Sequence, residues 1–189
     1  MKWSTRSRII GVDDGPFPRR RGVRVPVVGI LMSGAIRVEG VLSTWVARDG
    51  WNATNRLVEM LTTGRLGGQA QAVLLDGIAL GGLNIVDLPL LADSVGVPAI
   101  AVMRRSPDLE KFAKAIERVS RPERRKSVLR RAGPIHPFDG GWFQAAGCDT
   151  EEARTILRVA CFDGSYPEAL RVAHLVARGV TWGASRGGA

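Results

Sequence analysis

A chain of 189 residues and 20.4 kDa fits one domain and is long enough to bury a sizeable core without disulfides or structural metals. With 45% hydrophobic residues, 24% charged and a mean hydropathy of +0.02, its composition is that of a folded globular protein and excludes a disordered one. Lysine plus arginine exceed aspartate plus glutamate by 27 − 18, giving +9 and a pI near 10.9, which favours a polyanionic partner such as nucleic acid over a small-molecule substrate.

No apolar run reaches the ~20 residues that a bilayer crossing needs, and the first residues lack the apolar core of a signal peptide, so a cytoplasmic protein without a membrane partner is expected. Cys148 and Cys161 lack the paired spacing of a zinc site and read as reduced, partly buried thiols.

Along the chain, Arg8 to Gly15 reads as a short apolar strand running into the carboxylate pair Asp13-Asp14 and a Gly-Pro-Phe-Pro turn. Val23 to Met32, the turn Ser33-Gly34, and the alternating segment Ala35 to Ala47 predict a β-hairpin, so the first three strands form an antiparallel meander. A helix is expected from near Asn52, with Leu57, Val58, Met60 and Leu61 at helical spacing and Gly64 as its stop. Gln71 to Asp76 is a second apolar strand closed by an acid and Gly77, as in a buried central strand.

Asn84 to Ser94 has helical spacing through Ile85, Leu88 and Leu91, and Ala99 to Met103 is another apolar strand, followed by Arg104-Arg105. Asp108 to Val119 reads as an amphipathic helix, Arg118 to Arg131 as a basic stretch, and Gly133 to Gly147 as loop. Thr150 to Ala160 and Pro167 to about Arg178 are predicted helices, and the glycine-rich tail after Trp182 reads as frayed.

The chemistry-bearing pattern is two apolar strands, each closed by an acid and a turn. Neighbouring strands bring such ends together, and two carboxylates at one place suit a hard divalent cation that completes its shell with water and substrate phosphate. Singly, each acid has a plainer reading: Asp13 and Asp14 as caps of the turn before Gly15, and Asp76 as an Asp-Gly turn. An acid ending an apolar strand is costly to desolvate without compensation, and two of them point to a metal site.

With those residues in place, the sequence resembles the archaeal-type family known as DUF99 or UPF0215, which is related to endonuclease V. The matching blocks are Ile10-Gly11-Val12-Asp13-Asp14-Gly15-Pro16-Phe17, the segment Asp49 to Thr54, the segment Val73 to Asp87, and Pro167 to His174, which span most of the chain. The resemblance implies an α/β fold with a ribonuclease-H-like mixed sheet, an antiparallel three-strand meander plus parallel strands flanked by helices, as one domain over residues 1–189. It implies a Mg²⁺-dependent (or Mn²⁺-dependent) endonuclease acting on DNA, or RNA, near a deaminated base such as deoxyuridine or deoxyinosine, with a DNA-repair role and no small-molecule cofactor.

Carried over residue by residue, the strand-one acid of endonuclease V falls on Asp13 and the acid after the central strand on Asp76. Its lysine falls on Arg104, which keeps the charge but is no proton donor and would bind phosphate. Its C-terminal histidine falls on His174, which alternatively reads as a core histidine on an apolar helix. The third carboxylate is the departure. Endonuclease V has a glutamate opening the first helix and the DUF99 pattern is Asp-Gly-x-Asp-Ala-Thr, whereas this chain has Asn52 there and Asp49 three residues earlier as the substitute ligand.

Arg104, Arg105, Arg124, Arg125 and Arg171 are the expected nucleic-acid contacts, although the Arg118 to Arg131 stretch also reads as a solvated helix face. The alternative function is a catalytically weak or inactive nucleic-acid-binding protein of the same fold, which Asn52 favours; the high pI counts against a small-molecule enzyme.

Overall fold

The structure is a computed structural model that describes residues 3–20, 22–163 and 166–185. The tail residues 186–189, part of the segment expected to fray, lie outside the described residues. Strands β1 (Arg8–Asp14), β2 (Arg24–Ser33) and β3 (Arg37–Ala47) form the antiparallel meander, with the turn at Gly34 where φ is +57°. Helix α1 (Ala53–Thr62) then crosses over to β4 (Ala72–Asp76), which pairs with β1 in parallel.

The next segment corrects an expectation. The helix predicted from Asn84 begins at Leu88: β5 (Ala79–Leu80) and β6 (Asn84–Ile85) first form a small ladder, and α2 (Leu88–Val95) starts where Asp87 caps the Leu90 amide. Asn84 is fully buried and cannot be a helix surface residue. Its side-chain oxygen accepts from the Ala53 amide while its Nδ2 donates to Ala47 O and Asn52 Oδ1.

Strand β7 (Ala99–Met103) extends the parallel run beside β4, and α3 (Leu109–Ile116) and α4 (Pro122–Arg131) follow. The expected loop over Gly133 to Gly147 is instead a hairpin of β8 (His136–Phe138) and β9 (Gly141–Ala146), turned at Asp139-Gly140, with β9 antiparallel to β7. The sheet order is therefore β3-β2-β1-β4-β7-β9-β8, a mixed sheet flanked by helices. Helices α5 (Thr150–Ala160) and α6 (Glu168–Trp182) close the chain, and no helix among the described residues is long and apolar enough to cross a membrane.

Two layers cover the sheet. Alternate residues Ile10, Val12, Val73, Leu75 and Ala101 face the core with α1, α2 and α4, whereas Ile9, Leu74, Ile100, Val102 and Phe143 face α5 and the start of α6. Helix α6 also lies on β1 and β2 through Ala169, Ala173 and Ala177 against Val28, Ile30 and Met32. Gly11 makes that approach possible: a Cβ there would stand 2.3 Å from the Ala169 carbonyl carbon. The seating of α6 on bare β1 backbone is what sets the height of its outward side chains over the end of β1.

Candidate metal centre

The parallel register pairs Val12 with Leu75, so the next residues, Asp13 and Asp76, leave the sheet side by side. From above, α6 drops His174 between them, with Nδ1 2.8 Å from Asp13 Oδ2. Asp13, Asp76 and His174 each offer a ligand atom, and those atoms lie within 4.8 Å of one another. The three residues line a cleft of about 330 Å³ together with Asp14, Phe17 and Arg178, the last one helical turn beyond His174.

The electrostatics of the cleft are those of negative charge short of a cation. Asp13 is 5% exposed, and burial first, then the charges of Asp76 and Asp14, push its carboxyl up to about 8. Burial also raises Asp14 to about 6, although its Oδ2 accepts from the Gly81 amide at 3.0 Å. His174 is held below the ordinary imidazole range, chiefly by burial, which favours the neutral ring, and an ionised Asp13 takes the Nδ1 proton as its hydrogen bond and leaves Nε2 as the acceptor. Two carboxylates and an imidazole that meet at one point, with Asp13 buried and Asp76 and His174 half-buried, form a donor set that suits a divalent ion, whose charge would relieve the crowding that Asp13 carries.

Sequence reasoning missed Tyr166. Its hydroxyl donates to Asp76 Oδ1 at 3.0 Å, and its ring lies 3.6 Å beneath the Arg104 guanidinium. Burial and the Asp76 charge push the phenol well above its ordinary range, so it stays a donor and holds that carboxylate in place. The signal was present in one form: Tyr166 is the sole tyrosine and directly precedes the Pro167 to His174 block. Arg104 is exposed and stands in a neighbouring cleft of about 610 Å³ with Arg171, whose guanidinium grips Glu168 at both oxygens.

Two expected site residues fall elsewhere. Asp49 does not join Asp13 and Asp76: its Oδ1 accepts from the Leu83 amide at 2.9 Å, its own amide donates to Gly81 O, and its other oxygen pairs with Arg48. That carboxylate is spent on clasping the Gly81-Gly82 turn. Asn52 does not substitute for it, because its Oδ1 accepts from the Ala47 amide and from Asn84 Nδ2.

Arg125 is not a phosphate contact. It is fully buried, and its guanidinium donates to the carbonyls of Ser120, Gly50, Leu83 and Asp49. Arg105 and Arg124 are exposed, as expected, with Arg124 over the face of Trp51.

The family described as endonuclease dU matches residues 5–181. The chain belongs to the endonuclease dU family. Among its relatives, a UPF0215 protein of Methanothermobacter thermautotrophicus is 40% identical over 186 residues, covering 96% of this chain and 91% of the relative. A UPF0215 protein of Deinococcus radiodurans is 40% identical over 182 residues, covering 96% and 92%. An Archaeoglobus fulgidus protein of unknown function has the same fold at a TM-score of 0.83 and 35% identity, covering 90% of this endonuclease dU family member and 96% of the other chain. The endonuclease V of Ciona intestinalis, solved with a 24-mer DNA containing an inosine, shares the fold at a TM-score of 0.52 and 14% identity, covering 88% and 82%. This member of the endonuclease dU family therefore has the endonuclease V-like fold.

Proposed function

We propose that this protein is a metal-dependent endonuclease that cuts a phosphodiester bond of DNA near a deaminated base, deoxyuridine or deoxyinosine, in a repair role. The observation that carries this reading is the meeting of Asp13, Asp76 and His174 within 4.8 Å at the ends of two parallel strands. Asp13 and Asp76 would hold Mg²⁺ or Mn²⁺, which when bound neutralises phosphate charge and lowers the pKa of water.

The chain's own residues supply the rest. Tyr166 fixes the Asp76 carboxylate, and Arg104, exposed on top of Tyr166, presents a fixed charge beside the cleft for phosphate. His174 keeps Nδ1 on Asp13, which leaves Nε2 to orient water or take its proton. An altered base is favoured as the target because an apolar cavity of about 590 Å³ opens directly past Asp76, at Gly77 and Ile78, where an unstacked base finds room.

Incubating the pure protein with labelled duplexes bearing uracil or hypoxanthine, in Mg²⁺, Mn²⁺ or chelator, with RNA strands alongside, tests the reading. Nicking beside the altered base in either metal, and none in chelator, is expected; cutting that survives chelation overturns the metal. Tight binding without nicking in any condition establishes the second reading, a binding protein that has lost catalysis, which Asn52 favours because the ligand atoms that meet within 4.8 Å come from two carboxylates and His174, while Asn52 bonds Ala47 and the nearby Asp14 accepts from the Gly81 amide.

Affinity is expected to rest on phosphate contacts from exposed arginines, among them Arg104, Arg105, Arg118, Arg121, Arg124 and Arg130. With four of them engaged, log affinity should fall against log salt with a slope of about −4. A flat dependence between low and moderate salt would remove the electrostatic part of the proposal.

A further inference from the structure

We infer that Gln144 reads the edge of an extruded base and selects the hydrogen-bond pattern that deamination creates. This rests on the nuclease reading for its substrate, but on separate residues for its argument.

The apolar cavity begins where β4 and β7 end, at Gly77 just after Asp76 and at Met103 just before Arg104. It lies on the sheet face opposite α6, walled by Phe112 and Leu129. Gly77, the residue between Asp76 and the cavity wall, has φ at +80° and open space where a Cβ would stand, so no side chain fills that position. A nucleotide whose phosphate meets Asp76 can thus place its base beyond Gly77.

Of the side chains on the cavity wall, those of Arg130 and Gln144 end in polar groups; Arg130 is exposed, whereas Gln144 is 3% exposed. Gln144 sits on β9 in register with Ala101, which points it to the cavity side of the sheet. Its Nε2 donates to Gly133 O at 2.8 Å, and its Oε1 has no partner among the described residues. The buried side-chain polar atoms without a hydrogen-bond partner among the described residues are Arg48 Nε and Trp51 Nε1; Gln144 Oε1 is not one of them, so it reaches accessible space at the carbon-walled cavity, where a ligand N–H can meet it. The Gly133 bond also settles the amide's direction, because turning it over would set oxygen against oxygen.

That fixed direction has a chemical meaning. Cytosine and adenine present an amine donor beside a ring-nitrogen acceptor; deamination turns the amine into a carbonyl acceptor and the ring nitrogen into an N–H donor. Uracil and hypoxanthine therefore offer the same pair, a C=O and an adjacent N–H. Gln144 is the mirror of that pair: Oε1 accepts the ring N–H, and the second Nε2 hydrogen donates to the carbonyl. Held in the same pose by a phosphate at Asp76, cytosine and adenine bring an acceptor to Oε1 and a donor to Nε2. Thymine and guanine share the deaminated pattern, and their normal pairing keeps them in the stack, whereas a mispaired deaminated base leaves it at low cost.

The test uses binding in chelator, with cutting switched off, so that its outcome is separate from whether the protein is a nuclease. Duplexes carry one G-mispaired site holding uracil or N3-methyluracil, which lacks the donor. The parent should prefer uracil by roughly 10- to 100-fold. Gln144→Leu should lose that preference while binding the N3-methyl duplex as the parent does, which also shows that it is folded. Gln144→Met, of similar volume, replaces it if the leucine variant fails to fold. A parent that binds the two duplexes equally, or a folded variant that keeps the preference, overturns the assignment.

Discussion

Asp13→Asn is expected to abolish nicking and, in metal-free protein, to raise stability near pH 8. The carboxyl is buried beside Asp76 and Asp14, and its folded value of about 8 lies above an unfolded value near ~4. A group raised in this way favours folding while both states hold the proton. As pH climbs past ~4 the unfolded chain releases its proton and the folded chain does not, so stability declines until about pH 8 and is level above it. At about 1.4 kcal/mol per unit, the asparagine variant should gain more than about 2 kcal/mol at pH 8.

Denaturant midpoints in chelator from pH 4.5 to 8.5, each value ~0.5 unit apart, should show the parent falling across the range and the variant falling only up to about pH 6, through Asp14, and level above it. Added Mn²⁺ should restore the parent by about 2.7 kcal/mol at one hundred times its dissociation constant and leave the variant unmoved. Asp76→Asn should match it in lost cutting. A variant that nicks at the parent's rate, or a chelated parent equally stable at both ends of the range, would sink the claim that Asp13 and Asp76 share an ion.

The strands carrying these acids were legible because each is a continuous apolar run closed by a carboxylate and glycine, and burial on both faces writes itself into sequence as such a run. The last helix was legible for the same kind of reason, at 3.6-residue spacing. What escaped was settled by distant partners. The hairpin β8–β9 is short, begins at His136-Pro137 and reads as loop, although Asp139-Gly140 between Phe138 and Trp142 is a hairpin turn signal. Asn84 fell into step with Ile85, Leu88 and Leu91, but a residue that bonds Ala47, Asn52 and Ala53 obeys those contacts and not its own period. Tyr166 meets Asp76 across 90 positions, a pairing no local pattern encodes.

Charge counting failed at Arg125 for a related reason, and replacing that residue is expected to have the largest effect on stability outside the metal centre. Local density marked it as surface, whereas its guanidinium lies 4.3 Å over Trp51 and ties together carbonyls from three separate segments, Asp49-Gly50, Leu83 and Ser120. Asp49 itself is held in a left-handed conformation at φ 51°, which few non-glycine residues adopt unaided.

Arg125→Met keeps the volume and takes the donor from the part-buried carbonyls of Asp49, Gly50 and Leu83, at about 1–3 kcal/mol each, and from that of the exposed Ser120, which water can reach. A loss of at least about 3 kcal/mol follows, a large share of the ~5–15 kcal/mol that holds a domain folded. Arg125→Lys should lose nearly as much, since one ammonium cannot span carbonyls that a planar fork reaches. The neighbouring residue supplies the contrast. Arg124 is exposed, so Arg124→Ala should leave stability within about 0.5 kcal/mol while lowering DNA affinity and reducing the salt slope by about one. If Arg125→Met instead melts like the parent and binds DNA more weakly, then the guanidinium is turned outward in solution, and the clasp on Asp49, Gly50 and Leu83 does not hold the turn beside the carboxylates.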